Sequence, residues 1–132
     1  MIKPENKLPL LPPAVMVHGL MQAKRARAPG LPVTLLSAPD AARAWGCLWW
    51  WHLLEAVGHK GPAFLDCGAS PGRAVEALTL GLRFIVLSPC AARAEIEVLA
   101  QQRQAMLLPV PPKALDLAQK PTEERLIAWL NG

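Results

Sequence analysis

PAFLDCGASPGRAVEALTLGLRFIVLSP, residues 62–89, reads as strand, glycine-rich turn, helix and strand. Ala63 to Cys67 is an apolar run of strand length, too short for a helix. Ser70 supplies an N-cap, and Pro71 takes the first helical position, where its missing N–H leaves nothing unsatisfied. Ala74, Val75, Ala77 and Leu78 share one helical face, and Gly81 stands where a left-handed residue closes a helix. Phe84 to Leu87 is the next buried strand.

Working outward, the same alternation repeats. Residues 1–13 carry four prolines and read as an irregular arm. Ala14 to Val17 is a strand, Gly19 to Ala28 a helix ended by Pro29-Gly30, and Val33 to Leu36 a strand closed by Ser37-Ala38-Pro39-Asp40. One long helix spans about Asp40 to Val57. Beyond residue 89 come a helix to about Gln104, a strand from Met106 to about Pro109 and a proline-rich loop. A last helix follows, capped by Thr122, with Glu123 and Glu124 in its first turn, the sign its dipole prefers.

Strands alternating with helices predict a single α/β domain over 1–132. The expected architecture is a three-layer sandwich around a mainly parallel, five-stranded sheet. Right-handed crossovers leave few topologies, of which the flavodoxin-like order 2-1-3-4-5 is the first choice. A Rossmann-like order, or a part-barrel completed by dimerisation, is the alternative.

Composition narrows the function classes. A hydrophobic content of 52% and a mean hydropathy of +0.23 point to a covered sheet, an apolar partner surface, or both. The net charge of +4 invites nucleic acid, but Arg43, Arg73, Arg83, Arg93, Arg103, Lys113 and Arg125 are scattered. Only Lys24, Arg25 and Arg27 cluster, and no Tyr is present to stack on bases, so nucleic acid is not the expected partner. Three cysteines at irregular spacing give no disulfide framework and fit a reducing, cytoplasmic setting. Lys3 and Lys7 before Leu8 to Val17 imitate a secretory signal, but Pro9, Pro12 and Pro13 interrupt it. No run is long enough to span a membrane.

Trp45, Trp49, Trp50 and Trp51 fall in the long helix with Cys47, Leu48, Leu53, Leu54 and Val57. At about 100° per residue their indoles spread around most of the circumference, whereas a helix on a sheet buries only a stripe. The surplus apolar surface predicts an interface, with a second copy of the chain as partner. His52, beside Trp49 on the wheel, reads as packed or interfacial.

In an open parallel sheet, ligands bind beyond the carboxyl ends of the strands. That rim comprises His18-Gly19, Ser37 to Asp40, Asp66 to Arg73, Ser88-Pro89-Cys90 and Pro109 to Lys113. Candidate ligand-binding residues are Ser37, Asp66, Gly68, Ser70, Gly72, Arg73 and Ser88. The N–H groups of Gly72 and Arg73, with the Arg73 side chain, would hold a phosphate or carboxylate, so the alternative function is small-anion or nucleotide binding on the 66–73 loop, as a binding protein or as an enzyme. Asp66 is expected to accept N–H bonds from its own turn. Cys67 and Cys90, following adjacent strands, read as inert thiols and make no zinc site without further ligands. No catalytic set, metal site or cofactor is expected.

Leu65-Asp66-Cys67-Gly68-Ala69-Ser70-Pro71-Gly72 resembles the first cofactor motif of the Rossmann-like methyltransferases, which bind S-adenosylmethionine on such a loop. That family places an acidic residue at the end of the next strand, where this chain has Leu87-Ser88-Pro89. The order of elements also resembles the receiver domains of two-component response regulators. There, Asp66, Ser88 and Lys113 match the phosphorylated aspartate, the hydroxyl and the lysine, while Val17-His18-Gly19 replaces the acidic pair that holds magnesium. This second resemblance implies a receiver-like domain used for pairing with other proteins.

Overall fold

The computed structural model describes residues 10–132, so most of the proline-rich arm lies outside the described residues. The strands are β1 Ala14–Val17, β2 Thr34–Ser37, β3 Ala63–Asp66, β4 Phe84–Val86, β5 Met106–Leu108 and β6 Ala114–Asp116. The helices are α1 Leu20–Arg27, α2 Ala41–Trp45, α3 Cys47–Val57, α4 Pro71–Leu80, α5 Arg93–Gln102 and α6 Glu123–Leu130. The fold is α/β, with six strands in one all-parallel sheet flanked by helices, as the alternating pattern predicts.

Two expectations are corrected. The sheet has six strands rather than five, and their order is 5-4-3-2-1-6 rather than 2-1-3-4-5. It is also not the 3-2-1-4-5-6 order of dinucleotide-binding folds. Each of the first crossovers returns the chain one strand further in the same direction. The extra strand, β6, is only Ala114–Asp116 and follows directly on the proline-rich loop, so no periodicity marked it.

Local punctuation behaves largely as read. Gly81 adopts φ 105°, and Leu82 N–H closes α4 onto Ala77 O at 3.0 Å. The Thr122 hydroxyl accepts from Arg125 N–H at 3.1 Å. Ser70 precedes Pro71 as predicted, but its side chain makes no capping bond. The long tryptophan helix is two helices, because Gly46 at φ 92° stands where no right-handed turn continues.

Alternate residues of each strand face opposite sides of the sheet. Val15, Leu35, Leu65, Ile85 and Leu115 share one cluster with Ala23, Trp50, Leu78, Ile96 and Leu126 of the helices. On the other side Leu36, Phe64 and Val86, each 2% exposed or less, are joined by Met16, Phe84, Met106, Leu108 and Ala114 from the strands and by Leu11. Among the described residues, no helix residue enters this second cluster. Phe64 and Phe84 meet edge to face there, with ring centroids 5.2 Å apart.

Curvature explains how the second face is buried. β5 and β6 are opposite edges of the sheet, five spacings or about 24 Å apart if it were flat. Residues 109–113 must link them in six Cα steps, about 22 Å at full stretch. The sheet therefore curls toward this face, which is how Ala114 at one edge and Met106 at the other reach the same cluster.

Candidate functional site at the carboxyl rim

Because all the strands run the same way, their carboxyl ends gather on one rim. Hydrogen bonds tie several predicted site residues together there. Asp66 N–H donates to Ser37 Oγ at 2.9 Å, Gly68 N–H to Asp66 Oδ1 at 2.7 Å, and Ser88 N–H to Gly68 O at 2.8 Å. Ser37, Asp66, Gly68 and Ser88 thus form one chain of contacts across β2, β3 and the residues after β4. Asp66 plays the part predicted for it, holding its own turn.

Ser70, Gly72 and Arg73 open α4 beside this chain, but both donors expected of Arg73 for an anion have partners within the protein. Arg73 N–H donates to Ser70 O at 3.1 Å, and its guanidinium pairs with Glu76 at 2.7 Å. The hydrogen bond from Arg73 is the first cause holding the Glu76 carboxyl below its ordinary range. The other rim arginines are likewise occupied. Arg43 pairs with Asp40 at 2.6 Å; Arg93 pairs with Glu97 at 3.1 Å and also donates to the Leu87 and Leu107 carbonyls, closing the ends of β4 and β5.

The rim also holds a pair that sequence reading missed. His18 Nε2 lies 2.8 Å from Asp116 Oδ1, joining the ends of β1 and β6. Asp116 Oδ1 also accepts Ala118 N–H at 2.9 Å, and Gln22 Oε1 accepts His18 N–H at 2.8 Å. The available signal was Leu115-Asp116-Leu117, which repeats the pattern of Leu65-Asp66-Cys67 where β3 leaves the sheet.

Among the described residues no group of three or more His, Cys, Asp and Glu side chains could hold a metal ion. Burial, the largest cause, pushes the Cys47 thiol up to about 12, and it pushes Cys67 higher still. Burial thus disfavours the thiolate form of both, the form that acts as a nucleophile.

The four tryptophans of α2 and α3 divide by environment. Trp50 is fully buried with Cys47 and Leu53, and Trp51 is half-buried, its ring lying over Gly81. Trp49 is half-buried between Trp50 and Trp45, with ring centroids 5.7 and 6.0 Å away. Trp45 is 67% exposed and Leu48 53% exposed, where α2 gives way to α3. Further down the outer face His52 and Glu55 pair at 3.4 Å, so the apolar part ends there.

No family model, curated protein or solved structure matches this chain. No helix among the described residues is long and apolar enough to cross a membrane.

Proposed function

We propose that this chain is a non-catalytic α/β domain that works through protein–protein contacts, pairing with a second copy of itself through the face of Trp45, Leu48 and Trp49. The observation that carries this reading is the exposed Trp45 packed at a tilt beside Trp49, with an exposed Leu48 in the same short stretch of chain. Aromatic residues concentrate in interface hot spots, and contiguous exposed apolar surface on a monomer usually marks a contact site. A twofold interface sets the same patch against itself, which suits a face without uncompensated charge. Arg43 in α2 pairs with Asp40 just before that helix, and the His52 ring in α3 lies 3.4 Å from Glu55. Sedimentation velocity over a concentration series tests the reading: a reversible monomer–dimer shift supports it, and a single monomer boundary at every concentration refutes it.

A second reading, small-molecule binding at the carboxyl rim, is favoured by the His18–Asp116 pair. An imidazole oriented by a carboxylate is a common acid–base arrangement. The engaged state of Arg73 and Arg93 weighs against an anionic ligand there. Titrating His18 by NMR against phosphates, nucleotides and neutral metabolites separates these cases, and no shift with any of them removes this reading.

A further inference from the structure

At the opposite, amino edge of the sheet a cavity of about 710 Å³ opens between the starts of neighbouring strands. Lys60 precedes β3, Arg83 precedes β4 and Gln104 precedes β5, so three parallel strands bring their polar entry residues to one place. Beneath them lie Leu11, Phe84 and Met106, which belong to the apolar cluster on the concave face. Phe84 and Met106 are partners in the β4–β5 register, and Met106 N–H donates to Arg83 O at 2.7 Å, fixing cations and floor relative to each other.

The charge balance of this cavity is one-sided. Among the described residues, neither Lys60 nor Arg83 forms an ion pair and no acidic residue lines the cavity. Two cations with no ion-pair partner among the described residues, above an apolar floor, are complementary to an anion carrying a hydrocarbon tail. The volume falls in the range of small-molecule sites. We infer that this cavity binds a medium-chain aliphatic carboxylate, with the carboxylate between Lys60 and Arg83 and the chain laid along Leu11, Phe84 and Met106. Arginine offers the carboxylate a two-pronged donor, while lysine contributes charge without that geometry.

Isothermal titration of the full chain with octanoate tests the inference, with octanol and inorganic phosphate as probes of tail and charge alone. Octanoate should bind saturably at millimolar concentrations or below, and neither control should match it. Arg83→Gln should weaken octanoate binding about tenfold, the loss of one charge-assisted contact, and Lys60→Gln should weaken it less. Both positions are exposed, so the unliganded melting temperature should hold in each variant. The inference is overturned if octanoate does not bind, if octanol or phosphate binds as well, or if both variants bind octanoate like the parent.

Discussion

The carboxylate of Asp40 lies against the α-carbon of Gly68, so close that a Cβ on Gly68 would overlap its Oδ1. Both residues are left-handed, Gly68 at φ 56° and Asp40 at φ 59°. Gly68→Ala should therefore cost about 2 kcal/mol, from backbone strain and displacement of the carboxylate. Asp40→Gly relieves the contact at a position that suits glycine, so the double variant should recover part of that loss. Chemical denaturation of the four proteins in the cycle measures the coupling. Equal costs of Gly68→Ala in both backgrounds would show that the contact does not constrain the loop.

Trp50 is fully buried, yet its Nε1 has no hydrogen-bond partner among the described residues. Leaving that donor unpaired costs about 1–3 kcal/mol, which offsets part of what the indole gains by burial. Trp50→Phe removes the donor with a modest cavity and should change stability by no more than about 1 kcal/mol. Trp50→Ala leaves a large void and should cost about 3–5 kcal/mol. Urea unfolding distinguishes the two, and a large loss in Trp50→Phe would mean that the N–H is satisfied in solution.

Burial, the largest cause, lowers the pKa of His59 from its ordinary 6.5, despite the opposing hydrogen bond to Pro62 O. Nearby Arg27 lowers it further. The unfolded chain therefore takes up this proton before the folded one does. Stability should fall as pH drops below about 6.5 and level off once His59 is protonated in both states. His59→Gln should remove this component, measured as the difference in melting temperature between parent and variant from about pH 7.5 to about 5.5. Parallel curves would contradict the assignment.

The thiols separate in the same way. With Cys47 pushed up to about 12 and Cys67 also raised, a thiol reagent at mildly alkaline pH should label only the half-buried Cys90 in the folded protein. All three should react after denaturation. The sign of the linkage adds alkaline lability: the unfolded thiols ionise first, so stability should decline as pH rises above about 9. Mass spectrometry of the labelled protein reads the first point, and rapid native labelling of Cys47 or Cys67 would refute it.

Local grammar made much of this fold readable. Ala14 to Val17 is a strand as read, and Pro71 and Gly81 bound the helix between β3 and β4. Strand order depends on where each crossover returns, and neighbouring residues do not encode that. β6 escaped because three residues carry no measurable period, and Asp116 escaped with it, hiding the partner of His18. Gly46 broke a helix whose apolar pattern continued through it, since the wheel registers side chains and not φ. At the rim, Ser37, Asp66, Gly68 and Ser88 were legible because parallel strands must end together. The Arg73–Glu76 pair depends on a rotamer, which spacing leaves open.

Light scattering coupled to size-exclusion chromatography of the parent and of Trp45→Glu tests the central claim most directly. The account predicts a parent of twice the 14.3 kDa chain mass at micromolar concentration and a folded monomer for the variant. A parent that elutes as a monomer, or a Trp45→Glu protein that stays dimeric, would contradict it.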